Sequence, residues 1–294
     1  MPAGGAEGAG VGTAGAGRSS WRTIYTASFA ILLGFRLLLT AVAAAPAGSM
    51  GNSSLTASET EAARIAGLPS IFRPGTRILF QGEVTIDGAR WHHLDYKVPI
   101  WQDYAFMIAA DYGVGYPEKH LVFINRTMQG DTIGTLADRW QQDALALKPD
   151  VISILIGVND LVAKFPHDQT QAIRKFAERY DELLAGTFKA NPQIKLLLCT
   201  PFVLPGKYTT PRWSDWVELI GQMETAVDEL GRKYHVPVVH FQKFFNAAPP
   251  QAAAQGKVAE VSQPTYAEHR QMAAEWIRAY QAVYGPSAIN TVKP

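Results

Sequence analysis

The stretch that decides the fold is DVISILIGVND, residues 150–160. From Val151 to Ile156 it is aliphatic apart from one serine, and it ends in the polar pair Asn159 and Asp160. Such a run is too short for a buried helix and is typical of a central strand in a parallel sheet that is covered on both faces. In open α/β sheets, ligands bind just beyond the carboxyl ends of the strands, so the Gly-x-Asn-Asp turn is a candidate site. Turn capping by Asn159 would explain the same residues without a ligand.

Apolar segments alternate with helical patterns from this stretch outward. The predicted strands are Arg77–Phe80, Leu121–Ile124, Val151–Ile156, Lys195–Cys199 and Val236–His240. The predicted helices are Trp101–Tyr112, Ile133–Leu147, Gln169–Lys189, Ser214–Tyr234 and Ala267–Tyr284. This alternation predicts an α/β fold, a three-layer α/β/α sandwich with a five-stranded parallel sheet.

The N-terminal region predicts export. Arg22 precedes an apolar stretch that ends in small residues, so residues 21–46 have the layout of a signal peptide or of a membrane-anchor-like segment. Arg36 does not fit this layout, because a charge at the centre of an apolar segment costs about 2.5 to 3.5 kcal/mol on insertion scales. We expect a periplasmic or extracellular protein, with any membrane association through residues 21–46 only. Translation from Met50 would instead give a cytoplasmic protein.

The remaining domain boundaries follow from composition. Gly, Ala and Ser dominate the first residues, and such residues bury too little surface to offset the entropy of ordering them. Turn residues close the segment that precedes the first strand. The sequence therefore predicts a disordered low-complexity N-terminus at 1–20, a linker at 47–75 with a short helical piece at Glu59–Ile65, a folded domain at 76–285 and a tail at 286–294.

Charge and composition exclude several classes of function. The net charge is +1 and Lys and Arg form no cluster, which argues against a nucleic-acid partner. The chain contains no Walker loop and no G-x-G-x-x-G after a strand, so the sequence offers no nucleotide-binding motif, and we expect no cofactor. Cys199 lies within the apolar run LLLC, which predicts a buried core thiol rather than a redox or metal-binding residue.

Four polar loops are the candidates for chemistry. They are Gln81–Arg90, Asn125–Thr132, Gly157–Asp160 and Glu260–His269. Their order, spacing and flanking residues resemble the SGNH or GDSL hydrolases, which are esterases and lipases with a flavodoxin-like sandwich. The resemblance spans about Arg77 to Tyr280 and rests on ILFQG, FINR, LKPDVISILIGVND and PT-x-A-x-H-R-x-M-A.

The resemblance assigns roles to residues in each block. In this family the first block reads G-D-S with a nucleophilic serine, and the last block, D-x-x-H, supplies the histidine base and its aspartate. Here Val84 occupies the nucleophile position, Gln263 the histidine position and Glu260 the aspartate position. The second and third blocks supply oxyanion donors, and their glycine and asparagine are retained as Gly130 and Asn159.

The resemblance therefore implies a pocket whose reacting groups are replaced. Glu83, Asp131 and Asp160 are expected to line this pocket. Val84 has no nucleophilic atom and Gln263 takes up no proton near neutral pH, whereas covalent acyl transfer needs both a nucleophile and a base. The expected function is a pseudoenzyme that binds a small ester, acyl or carbohydrate ligand. The alternative is an active esterase that uses a non-standard nucleophile.

Other residues offer substitute chemistry. Thr85 and Ser262 adjoin the family positions but are expected to point elsewhere, and His269 falls where the family has a non-catalytic histidine. His92 and His93 are adjacent in one loop, and no convergent third ligand indicates a metal, so none is expected. Carboxylates at one end of the predicted sheet could act as the acid and base of a glycoside hydrolase, although helix caps and solvated charges explain them better. These carboxylates are Glu83, Asp87, Asp131, Asp160 and Glu260.

Overall fold

The aliphatic runs form one parallel sheet in the structure, a computed structural model that describes residues 57–83, 103–165, 167–206, 209–247 and 264–286. The strands are Arg77–Glu83 (β1), Val122–Met128 (β2), Val151–Leu155 (β3), Lys195–Cys199 (β4) and Val238–Val239 (β5). Their order across the sheet is β2-β1-β3-β4-β5, and every neighbouring pair is parallel. The predicted five-stranded parallel sheet is confirmed.

One helix precedes the first strand, and the other helices lie between or after the strands. Among the described residues they are Ala57–Ala66 (α1), Tyr104–Gly115 (α2), Ile133–Asp143 (α3), Val158–Val162 (α4), Gln169–Ala190 (α5), Trp213–Tyr234 (α6), Phe241–Ala247 (α7) and Tyr266–Tyr284 (α8). The described residues include no helix that is long and apolar enough to cross a membrane.

The central strand β3 is covered on both faces. Ile152 and Ile154 belong to a core cluster with residues of α3, α5 and α6. Val151 and Leu155 belong to a second cluster with residues of α2 and α8. Because successive side chains of a strand point to opposite faces, this division gives the predicted three-layer sandwich. The buried polar Ser153 is satisfied by the indole N–H of Trp276, 2.8 Å from its hydroxyl oxygen.

Cys199 is the buried core thiol that the sequence predicts. Its side chain is fully buried, with Sγ 3.6 Å from the hydroxyl oxygen of Ser153. Burial raises the pKa of the Cys199 thiol to about 12, so the reactive thiolate is suppressed at neutral pH.

The segment 57–75 differs from the linker that the sequence predicts at 47–75. Helix α1 covers the expected helical piece, but Ile71 and Phe72 after it are buried in the core cluster of α2 and α8. Arg64 of α1 also binds Asp111 of α2 with nitrogen–oxygen distances of 2.6 and 2.7 Å. The linker prediction is therefore wrong for these residues, since they pack against the sheet domain. The predictions for 1–20 and 21–46, and for the tail after residue 286, lie outside the described residues.

Three local differences concern the elements near the polar loops. The predicted turn Gly157–Asp160 opens helix α4, and the predicted helix Ile133–Leu147 ends at Asp143 and continues as a 3-10 turn. Strand β1 extends to Glu83, so the loop predicted at Gln81–Arg90 begins within the sheet. Glu83 belongs to strand β1 because it pairs with Met128, the last residue of β2.

Candidate functional site

The site begins where β1 and β3 end side by side. Gly82 of β1 has φ +111°, and a Cβ atom there would lie 1.9 Å from the carbonyl oxygen of Leu155. No side chain fits this close approach, so the glycine is required by the packing of the two strands. The approach brings the next residue, Glu83, to the carboxyl end of β3.

The carboxylate of Glu83 is held by the first residues of α4. Its Oε1 accepts a hydrogen bond from the backbone N–H of Val158 at 3.1 Å. Its Oε2 accepts from the backbone N–H of Asn159 at 3.2 Å and from the Asn159 side-chain Nδ2 at 2.8 Å. The first N–H groups of a helix have no partner within the helix, and here a buried side chain satisfies two of them. Glu83 is only 3% exposed.

The side-chain amide of Asn159 has a second acceptor. Its Nδ2 also donates to the backbone carbonyl oxygen of Asp131 at 3.0 Å. An amide nitrogen carries two hydrogens, so both are donated within the protein. Both hydrogens of the Asn159 amide are engaged by Glu83 and by the Asp131 carbonyl, and donation by Asn159 to a ligand stays a prediction.

The other two predicted pocket carboxylates also have partners within the protein. Asp131 accepts from the Thr135 hydroxyl at 2.8 Å and forms an ion pair with Arg139, whose Nε lies 3.1 Å away. Asp160 accepts from the backbone N–H of Ile133 at 3.1 Å, which ties α4 to the first turn of α3. The structure thus brings Glu83, Asp131 and Asp160 to the same end of the sheet, as the sequence predicts, and gives each carboxylate a structural partner.

Two of these carboxyl groups have strongly shifted pKa values. Burial raises the pKa of Glu83 to about 8, although the N–H groups of Val158 and Asn159 favour the charged form and lower it. Burial likewise raises the pKa of Asp160 to about 7, against the lowering effect of the Ile133 N–H. The charge of Asp131 adds to both shifts.

Gly130, the other predicted oxyanion residue, lies in the exposed turn after β2. Its φ is +77°, a backbone conformation that L side chains rarely adopt, and this explains the glycine. It directly precedes Asp131, whose carbonyl binds Asn159. Gly130 therefore lies beside the Glu83–Asn159 pair along the chain, and its donation to a ligand stays a prediction.

The reacting positions of the family lie outside the described residues. These are Val84, Glu260 and Gln263, together with the substitutes Thr85, Asp87, His92, His93 and Ser262. His269 is described and lies in the first turns of α8. Its Nδ1 is buried without a hydrogen-bond partner among the described residues, and burial lowers the pKa of its ring to about 4. The ring is therefore neutral at physiological pH.

Comparisons with known proteins place the chain in a family. Residues 86–258 match the model of the GDSL-like Lipase/Acylhydrolase family, which is more than half of the chain. An acetylxylan esterase from Geobacillus stearothermophilus is 29% identical over 119 residues, which cover 40% of this chain and 49% of the esterase. The chain thus spans about half the length of this curated relative.

Solved structures show the same fold. A protein assigned as a GDSL-like lipase from Parabacteroides merdae is 27% identical, with a TM-score of 0.58 over 72% of this chain and 99% of that one. The acetylxylan esterase from Geobacillus stearothermophilus has a TM-score of 0.56 at 21% identity, over 71% of this chain and 96% of that one. Variants of that esterase with a serine, a histidine or an aspartate replaced by alanine are described as catalytic mutants.

The matched residues 86–258 contain Gly130 and Asn159 and the strands and helices around them. They begin after Val84 and end before Glu260, so the match does not depend on the substituted positions. The resemblance drawn from the sequence is confirmed: the chain belongs to the GDSL-like lipase/acylhydrolase family.

Proposed function

We propose that this chain is a family member that binds a small acylated ligand without hydrolysing it by the serine chemistry of the family. The observation that carries the proposal is the hydrogen bonding of Asn159, whose Nδ2 donates to Glu83 at 2.8 Å and to the Asp131 carbonyl at 3.0 Å. An oxyanion hole needs preorganised donors aimed at the developing charge. A donor that is already bound to a buried carboxyl group does not meet this requirement.

The substituted family positions support the same proposal. Val84 stands where the family has its nucleophile and Gln263 where it has its base. Loss of either triad member removes nearly all of the catalysis that a triad provides, and here both differ. The alternative, an esterase with a non-standard nucleophile, would need another activated side chain near Glu83.

The ligand class follows from the curated relative. Acetylxylan esterase is the activity named for that protein, so acetylated xylooligosaccharides are the first ligands that we propose for this chain. Because the amide of Asn159 is engaged, the backbone N–H of Gly130 is the remaining family donor for an acyl carbonyl. We also propose that residues 21–46 direct export, which fractionation of cells expressing the full-length chain would test.

A labelling experiment tests the absence of hydrolysis. The full-length protein would be incubated with a fluorophosphonate probe and with a short-chain activated ester. We expect neither covalent labelling nor ester turnover above the rate in buffer. Stoichiometric labelling of one residue would contradict the proposal, and peptide mapping of that residue would identify the nucleophile of an active esterase.

A binding experiment tests the ligand class separately. Calorimetric titration would compare an acetylated xylooligosaccharide with the same oligosaccharide after chemical deacetylation, which is the matched control. We expect binding only when the acetyl groups are present. Equal binding of both would favour a carbohydrate ligand over an acyl ligand, and binding of neither would contradict the ligand class alone.

A further inference from the structure

A second polar cluster lies at the other edge of the sheet, beside β5. Glu224 and Asp228 are four residues apart on α6, so they share one face of that helix. His240 directly follows β5 and faces both of them. One ligand atom from each of the three side chains lies within 4.8 Å of the others.

The hydrogen bond between His240 and Glu224 fixes the orientation of the ring. His240 Nδ1 lies 2.6 Å from Glu224 Oε1. A carboxylate accepts hydrogen bonds and donates none, so the short contact with Glu224 favours the tautomer with its hydrogen on Nδ1, although Lys243 Nζ lies 3.4 Å from the same nitrogen. In the neutral ring the lone pair is then on Nε2, which faces Asp228 Oδ1 at 3.4 Å.

This 3.4 Å separation is longer than an ordinary N–H···O hydrogen bond. It matches the distance between two ligands of one tetrahedral ion, because metal–nitrogen and metal–oxygen bonds of about 2.0 to 2.2 Å place the two atoms about 3.4 Å apart. Histidines that bind metals commonly donate their other ring N–H to a carboxylate, as His240 does to Glu224. The geometry thus provides a carboxylate that orients the histidine ring, Glu224, and a ring nitrogen, Nε2, at ligand distance from a second carboxylate, Asp228.

The surrounding charges leave room for a cation. Lys243 Nζ lies 3.2 Å from Glu224 Oε1, so the ammonium offsets the charge of the carboxylate that orients the ring. The side chain of Asp228 is 28% exposed and that of His240 is 30% exposed, so a hydrated ion can reach the pair. Imidazole and carboxylate together suit a transition metal such as zinc, whereas magnesium and calcium prefer oxygen ligands alone.

We propose that His240 Nε2 and Asp228 bind a zinc-class divalent ion, with Glu224 as the orienting carboxylate and water completing the coordination. The ion would join α6 to the start of α7. Strand β5 pairs with β4 through only two residues, Val238 and Val239. An ion that cross-links α6 to the residue after β5 would therefore stabilise this edge of the sheet. The site is two strands away from β3 and is independent of the function proposed above.

The test is a zinc titration of the full-length chain, followed by calorimetry and by the thermal unfolding midpoint. We expect saturable binding of one ion and a rise in the midpoint with zinc chloride, because an ion that binds only the folded state stabilises it. Magnesium chloride is the control ion and should leave the midpoint unchanged. A midpoint that zinc does not raise, together with no heat of binding, would overturn the proposal and leave His240 as an ion-pair partner only.

Matched variants locate the ion. His240→Gln and Asp228→Asn should abolish zinc binding, whereas His167→Gln changes an exposed histidine elsewhere and should bind zinc as the parent does. Glu224→Gln still accepts the Nδ1 hydrogen and should weaken binding by about tenfold, the low end of the effect of outer-shell partners. Zinc binding retained in both His240→Gln and Asp228→Asn would overturn the site.

A variant that gains zinc affinity is also informative, because misfolding cannot explain tighter binding. The Lys243 side chain is 64% exposed, and its ammonium group would repel a zinc ion bound nearby. Lys243→Ala should fold as the parent does and bind zinc several-fold more tightly, because a nearby like charge is removed. Weaker zinc binding by this variant would contradict the assigned position of the ion.

Discussion

Two buried carboxylates in this protein differ in what surrounds them. Glu83 is 3% exposed and Asp111 is 4% exposed. Glu83 is held by uncharged N–H groups, whereas Asp111 is bound by the guanidinium groups of Arg64 and Arg270 at 2.6 to 2.8 Å. Burial raises the pKa of Glu83 to about 8, while hydrogen bonds to Glu61 and Asp111 raise the pKa of Arg64 above its usual range.

The difference teaches that partners, rather than depth, decide what a buried carboxylate does. Asp111 on α2 joins Arg64 of α1 to Arg270 of α8, so its charge is compensated and connects three helices. Among the described residues, Glu83 accepts hydrogen bonds from uncharged N–H groups, and the nearby carboxylates Asp160 and Asp131 raise its pKa further. The first carboxylate is an anchor, and the second is a titrating group in the candidate site.

The prediction with the largest expected effect tests whether Glu83 prevents Asn159 from acting as an oxyanion donor. The triple change Val84→Ser, Glu260→Asp and Gln263→His restores the family triad, since triad members act as a unit. Adding Glu83→Asp shortens the side chain by one methylene and should release an Asn159 hydrogen. We expect the quadruple variant to exceed the triple in ester turnover by about 10²- to 10³-fold, the usual worth of one oxyanion donor.

The control for that comparison is Glu83→Gln in the triple background. Glutamine keeps the length of Glu83 and an acceptor oxygen for Asn159, so turnover should stay at the level of the triple. Equal turnover of the triple and quadruple variants would show that Asn159 is not limiting. Circular dichroism spectra would establish that each variant folds.

The second prediction concerns Asp111. Asp111→Asn leaves Arg64 and Arg270 without their anionic partner, and we expect it to lower the free energy of unfolding by about 3 kcal/mol, the low end for a broken buried pair because both guanidiniums reach solvent. Urea denaturation measures this loss. Asp181→Asn, which breaks an exposed pair with Lys233, is the control and should cost less than about 1 kcal/mol.

The sequence predicted the sheet well because its strands are short, continuous aliphatic runs. Each described strand overlaps its predicted segment, and the aliphatic runs of β3 and β4 are buried in the interior of the sheet, whereas the edge strand β2 is largely unburied. The seven-residue helix α7, FQKFFNA, was missed because it is too short to show a helical period. Helix α4 was missed because its first residues also read as a turn.

The sequence also grouped the carboxylates at one end of the sheet, because parallel strands bring their carboxyl ends together. It did not predict the partners of Asn159, which depend on one methylene of Glu83 and on its rotamer. The packing of Ile71 and Phe72 was missed for a different reason. Arg64 and its partner Asp111 are 47 residues apart, and no local pattern connects them.

The third prediction uses the raised pKa of Glu83. The folded pKa of about 8 exceeds the ordinary value of 4.5, so the folded protein binds the extra proton between these values. The contribution of Glu83 to stability is therefore complete below about pH 4.5 and is lost as the pH rises towards 8. We expect the free energy of unfolding to fall across this window by up to about 1.4 kcal/mol per pH unit from this group.

Glu83→Gln tests this assignment because it removes the titrating group. The pH dependence of urea denaturation should become flatter between pH 5 and 8 in the variant, in keeping with a folded pKa of about 8 for Glu83. Asp111→Asn is the matched comparison for a buried carboxyl group, and it should lower stability. An unchanged slope in Glu83→Gln would contradict the raised pKa.

The smallest expected effect concerns Asp160. Asp160→Asn keeps an acceptor for the Ile133 N–H and mimics the protonated carboxyl group, so stability below the ordinary pKa of 3.8 should change by less than about 1 kcal/mol. Burial raises the pKa of Asp160 to about 7, so the variant should also lose a slope of the same sign as that of Glu83, ending near pH 7. A loss of several kcal/mol would mean that the charged form is needed for the contact with α3.

The anchor at Asp111 also sets where the chain can be cut. Trimming to residue 76, the domain start that the sequence suggests, would remove Arg64 and strip Ile71 and Phe72 from the core. A protease that cuts upstream of α1 would leave this anchor in place, whereas one that cuts between α1 and β1 would separate Arg64 from Asp111. Truncation up to the start of α1 therefore keeps the contact between Arg64 and Asp111, whereas truncation beyond Arg64 removes it.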